Sequence, residues 1–220
     1  MRLVERLRVP TVHQVWVAAV LEVALAGFVV LGLYTRNVGV AVNSAVALLV
    51  TQLPPALERN YAIVMDPRLV LWLTAAVFLH ALGTVPLPGL ETLYRSVGWW
   101  DHLTHALSSS VVAGAGYAAV RALDEHVDGL ELPPSFTFVT ILVSVVAFGV
   151  LWEVLEFAIG LVASATGTRG ILTQYGLEDS MLDLVFDLVG AVVVAAWGTA
   201  YLTDVITQLE RYFEDRAGAQ

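Results

Sequence analysis

The chain has 220 residues, of which 58% are hydrophobic and 14% charged, against roughly 45–50% and 25% in ordinary soluble proteins. At a mean hydropathy of +0.76, a soluble fold of this size cannot hide so much apolar surface, which excludes disordered tails, secreted disulfide scaffolds and cytosolic enzymes. A net charge of −9 disfavours nucleic acid as a partner, and zero cysteines exclude disulfides, thiolate metal sites and cysteine nucleophiles.

The expected fold is all-α: a polytopic membrane helical bundle of about six transmembrane helices, with residues 1–220 forming a single integral membrane domain. A span needs about 20 apolar residues to cross roughly 30 Å of hydrocarbon. In chain order the candidates are Val12–Leu33, Val38–Leu57, Leu69–Val85, His102–Leu123, Phe136–Ala165 and Met181–Ile206. Arg2, Arg6 and Arg8 before an apolar run that holds Ala24-Leu25-Ala26 resemble a cleavable leader. Glu22 interrupts that run, however, and it continues to Leu33, so a retained span is expected. The second span is weakened by Asn43, Ser44, Thr51 and Gln52, and Pro54-Pro55 are expected to stop it. The fifth exceeds the length a crossing requires, which predicts a tilt or a bend near Gly149 or Gly160.

All eleven basic residues are arginine. With the N-terminus inside, eight of them (Arg2, Arg6, Arg8, Arg59, Arg68, Arg121, Arg211 and Arg216) fall on the cytoplasmic side, and Arg36, Arg95 and Arg169 fall outside. The positive-inside rule therefore favours a multi-pass protein of the cell membrane with both termini cytoplasmic, lipids as its partners, and Trp99-Trp100 as interfacial anchors. Excess acid without lysine points to a halophilic cell, with codon drift from lysine to arginine as the alternative. The halophile reading predicts lower stability in detergent at low salt than at molar salt, where a Debye length of about 3 Å screens the self-repulsion. Unchanged melting between the two salts would leave codon drift.

Ionisable residues inside spans are expensive and point to function. His80 lies near the end of span three. Asp101, His102 and His105 open span four, Glu153 and Glu156 lie late in span five, and Asp179, Asp183 and Asp187 open span six. Consecutive spans alternate direction, so all four groups share one side of the membrane, the outer side in the expected topology. Asp101/His105 and Asp183/Asp187 are i,i+4 pairs and Glu153/Glu156 an i,i+3 pair, so each pair shares a helix face. Two carboxylates as deep as Glu153 and Glu156 need a cation, a proton or a watery cleft to neutralise them.

Asp101, His105, Asp183 and Asp187 are the expected ligands of a divalent metal, with zinc, manganese or iron suited to imidazole and carboxylate. Glu153 and Glu156 are the expected catalytic bases, and His80, His102 and Asp179 the periphery. A proton- or substrate-binding cleft, or a purely structural polar network with Asp101 capping span four, are the alternatives. No Glu-x-x-His pair, His-Glu-x-x-His or Gly-x-Ser-x-Gly occurs, and Ser108–Ser110, Gly114, Gly116, Gly190 and Gly198 read as close helix contacts. Glu22 stands alone in mid-span.

Three motifs stand in order: Asp101-His102-Leu103-Thr104-His105, then Trp152-Glu153-Val154-Leu155-Glu156-Phe157, then Thr173-Gln174, Gly176, Asp179, Asp183 and Gly190-Ala191. Over about Leu53–Trp197 this pattern resembles the YjdF-like inner-membrane proteins. Asp187 departs from them and is similar to the VanZ-like pattern Asp-x-x-x-His, Glu-x-x-Gln, Asp-x-x-x-Asn-x-x-Gly. Both resemblances select Asp101, His105, Glu153, Glu156, Asp183 and Gly190, leave His102 outside, and imply no particular reaction. The expected function is metal-assisted or acid–base hydrolysis of a lipid or lipid-linked envelope precursor. The alternative is a non-enzymatic lipid- or ion-binding, transporter-like module.

Overall fold

The computed structural model describes residues 10–89, 91–126, 132–166 and 176–197, all of whose regular elements are helices. Helix α1, Thr11–Tyr34, follows Pro10, and its end is closed by the Thr35 hydroxyl, which donates to the Leu31 carbonyl at 2.8 Å. Asn37 then caps α2, Val38–Val50, its side-chain oxygen accepting from the Val40 amide at 3.2 Å. A β-carbon on Gly32 would collide with the Ala41 backbone, so this glycine lets α1 and α2 close into a hairpin.

The second expected span is not stopped by its prolines: only Thr51 and Gln52 interrupt its regular helix, and it runs on to Tyr61. The backbone turns at Thr51, whose hydroxyl donates to the Leu48 carbonyl at 2.8 Å, and a new helix α3 runs over Leu53–Tyr61. Pro54 and Pro55 occupy its first turn, where a missing amide hydrogen costs nothing, and so they start a helix where the sequence suggested a stop. Helix α4, Pro67–Thr84, has proline at its start and is capped by Asp66, which accepts from the Arg68 amide at 2.8 Å. After the short α5, Leu93–Ser96, come α6, Trp100–His126, α7, Pro134–Thr166, and α8, Leu177–Trp197. Helix α7 runs unbroken through Gly149 and Gly160, and its 33 residues extend about 50 Å at 1.5 Å per residue. The end of the sixth expected span, residues 198–206, lies outside the described residues, as do Arg2, Arg6, Arg8, Arg169, Arg211, Arg216, Thr173-Gln174 and Asp204.

Thr11–Tyr34, Val38–Tyr61, Pro67–Thr84 and Ser135–Thr166 are long and apolar enough to cross a membrane, so four of the six expected spans stand on length and composition alone. Helices α6 and α8, which carry most of the polar residues, are not among the four found within the described residues. They pack against each other more extensively than any other pair. Outward side chains such as Val23, Val143 and Val162 are more than half exposed, as a lipid-facing surface requires.

Two groups of helices make up the bundle. In one, α1, α2 and α4 enclose Leu25, Ala47 and Ala81. In the other, α6, α7 and α8 pack around Ala113, Tyr117, Ile141, Val145 and Ala191. Helix α4 joins the two along α6, with Leu69 entering the second core.

Candidate metal centre

The N-terminal halves of α6 and α8 meet at one end of the bundle. Gly190 allows their approach: a β-carbon there would run into the Ala106 carbonyl and the Ser109 hydroxyl. Ala191, fully buried beside it, keeps the contact close. Asp101 and His105 lie one turn apart on the facing side of α6, and Asp183 and Asp187 one turn apart on α8.

His105 is the hub. Its Nε2 lies 3.6 Å from Asp101 Oδ1 and 3.9 Å from Asp183 Oδ1, and its Nδ1 lies 3.3 Å from Asp187 Oδ1. The two ring nitrogens thus face different carboxylates. With Nδ1–H donated to Asp187, the Nε2 lone pair points between Asp101 and Asp183. One ligand atom each from Asp101, His105 and Asp183 falls within 4.8 Å of the other two. Separations of 3.6 and 3.9 Å are less than twice a metal–ligand bond of about 2.0–2.2 Å, so one ion can reach both atoms of either pair. Asp183 Oδ1 is buried without a hydrogen-bond partner among the described residues, a costly state for a carboxylate. Asp187 stands outside the three-residue group. Its carboxylate rests against Gly149 of α7, where a β-carbon would displace it.

The other candidates surround this point. Glu153 is buried and Glu156 half-buried on α7. Glu156 is close enough to Glu153, His105, Asp101 and Asp183 to feel their charges, and Glu153 acts likewise on Asp101 and Asp183. Asp179, half-buried in the first turn of α8, acts on Asp101 and Asp183. His80 borders the group through other partners: the Tyr94 hydroxyl is 2.7 Å from its Nδ1, and its ring meets Trp152 edge-on at 5.9 Å. His102 turns away to the ring of Phe186, 4.3 Å between centroids, as the roughly 100° between successive helix residues dictates. Asp101 lies inside the first turn of α6 and is not its cap. Glu22 sits on α1, which packs against α2 and α4.

Sequence reasoning missed Tyr94 and Thr104, joined at 3.3 Å by their hydroxyls, and the part played by Gly149. Tyr94 left no signal, since it comes from the four-residue helix α5 between two spans. Gly149 did leave one: with Glu153 and Glu156 it forms an i, i+4, i+7 stripe, which marks one helix face. Of the glycines read as close contacts, Gly190 is one. Gly116 faces open space and Gly198 lies outside the described residues.

The fold and its polar centre define a helical membrane protein with a histidine–carboxylate group at one end of its bundle. The chain belongs to the family described as Predicted membrane protein (DUF2238), which matches residues 16–204. A protein of Thermotoga maritima, described as "Uncharacterized protein", is 30% identical over 128 residues, 58% of this chain and 60% of that relative. The match therefore spans less than two thirds of the relative's length. No solved structure matches.

Proposed function

We propose that Asp101, His105 and Asp183 bind a divalent metal ion, zinc, manganese or iron, and that the centre hydrolyses a lipid or lipid-linked envelope substrate. What carries the reading is the convergence of three ligand atoms from two helices within 4.8 Å, with Asp183 Oδ1 buried and lacking a hydrogen-bond partner among the described residues. Two carboxylates and a neutral imidazole balance the charge of a divalent ion, and three protein ligands leave a position for water or substrate. Asp187 holds His105 by its other nitrogen, the usual support of a ligating imidazole.

Glu153 or Glu156 takes a proton from the attacking water and returns it to the leaving oxygen, an alcohol from a lipid ester or a phosphate from a lipid diphosphate. The reaction consumes one water and needs no oxidant. In this reading the centre faces the outer leaflet and both termini are cytoplasmic, by the arginine distribution. The Asp187 feature shared with the VanZ-like pattern is then part of the same centre.

A direct test places the purified protein in bilayer discs with phosphatidylglycerol and a polyprenyl diphosphate, supplies zinc or manganese, and follows product release. Release from either lipid should stop with a chelator and fall by about 10²-fold or more in Glu153→Gln or Glu156→Gln, the range for a general base. A protein that binds the ion but releases no product is instead an ion-binding membrane module. The His105 contacts to three aspartates across α6 and α8 also suit a structural network, which would bind no ion at all.

A further inference from the structure

A cavity of about 360 Å³ lies directly beneath the polar centre, between the two helix groups. Its upper rim is Asn43, His80, His105 and Trp152, and its floor is Val50, Leu73, Val112 and Val145. On each of the four helices rim and floor are seven residues apart, so the well runs along the helix axes for about 10 Å at 1.5 Å per residue. Below the rim its walls are almost wholly apolar, and Asp187 and His105 stand at the upper end. A cavity of this volume and lining holds an apolar ligand.

Among the described residues one side of the well is open: helix α2 packs on α1 and α4, and α7 packs on α6 and α8, whereas α2 and α7 share no extensive contact although both line the cavity. At that seam Val46 is 52% and Phe148 59% exposed. Both helices belong to segments long and apolar enough to cross a membrane, and in a crossing segment the medium outside the seam is lipid hydrocarbon, not water.

We infer that this well is the seat of one hydrocarbon chain of a bilayer lipid, which enters sideways between α2 and α7 and brings its polar end to the Asp101–His105–Asp183 centre. The inference builds on the reading of that centre as the reacting end. It adds a site for the chain, a lateral route of entry and a substrate class, bilayer lipids that bring one long aliphatic chain to the centre. The depth of the well admits part of a chain, and the remainder stays in the bilayer along the seam. The small residues Ala47, Ala76 and Ser109 keep the well open.

The test uses the full chain in phosphatidylglycerol bilayer discs doped with phosphatidylglycerol carrying a diazirine near the middle of one acyl chain, the part that the depth of the well places at its floor. After illumination, labelled positions are mapped by mass spectrometry. Labelling of the floor residues Val50, Leu73, Val112 or Val145 is expected, with several-fold less in Val46→Trp, which narrows the seam at an exposed position and leaves the core untouched. Labelling confined to outward residues such as Leu49 and Val143, which face the surrounding lipid, overturns the proposal. Floor labelling that Val46→Trp leaves unchanged overturns the lateral route. Asp183→Asn separates the two readings: floor labelling retained without ion binding keeps the chain seat and removes only the metal function, whereas ion binding without floor labelling in the wild type removes only the seat.

Discussion

Gly190→Ala destabilises the bundle in detergent, and Gly190→Leu prevents it from folding. A β-carbon at residue 190 meets the Ala106 carbonyl and the Ser109 hydroxyl. One of these is backbone and cannot rotate aside, so the helices must separate. Overpacking of this kind costs about 1–3 kcal/mol, and here α6 and α8, the most extensive contact in the bundle, bear all of it. The same displacement draws Asp183 away from His105, so any ion affinity falls together with the melting temperature. Gly160→Ala is the control. Its β-carbon meets open space, and alanine is the better helix former, so the melting temperature should hold or rise. Equal losses at residues 160 and 190 would mean that the close contact of α6 with α8 is not what holds the centre together.

Replacing the aspartates one at a time should sort them by ring nitrogen. Asp183→Asn and Asp101→Asn each remove a charged group from the side of His105 Nε2, and ion binding, measured by calorimetric titration of zinc or manganese into the detergent-solubilised protein, should be lost. Asp187→Asn acts on Nδ1, 3.3 Å away, where an amide oxygen can still accept the ring hydrogen. Loss of such a supporting carboxylate costs about 10–100-fold in metal affinity, so weakened but measurable binding is expected. Gly149→Ala should resemble Asp187→Asn, because its β-carbon displaces the Asp187 carboxylate. Equal and complete loss in Asp183→Asn and Asp187→Asn would make Asp187 a direct ligand.

Much of this arrangement was legible in the chain itself. Spans that alternate direction must bring the end of α4 and α7 to the start of α6 and α8, and i,i+4 spacing must align Asp101 with His105 and Asp183 with Asp187. Those are properties of backbone geometry. Which ring nitrogen meets which carboxylate depends on side-chain rotamers and on the offset between two helices, and spacing within one helix holds neither. The turn at Thr51 was hidden because lowered hydropathy does not show that a hydroxyl returns to the Leu48 carbonyl, while the neighbouring prolines, the stronger stop signal, begin a helix. The well beneath the centre was hidden for the same reason as Tyr94: it is made where distant elements, here α2 and α7, share no extensive contact, and not by any local pattern.

The central claim is that Asp101, His105 and Asp183 hold one divalent ion. An anomalous-difference map from crystals of the full chain loaded with zinc tests it most directly. The account predicts a peak about 2.0–2.2 Å from His105 Nε2 and from one oxygen each of Asp101 and Asp183, with Asp187 still on Nδ1. A map with no peak between α6 and α8, and His105 Nε2 hydrogen-bonded to Asp101 or Asp183 instead, would contradict it.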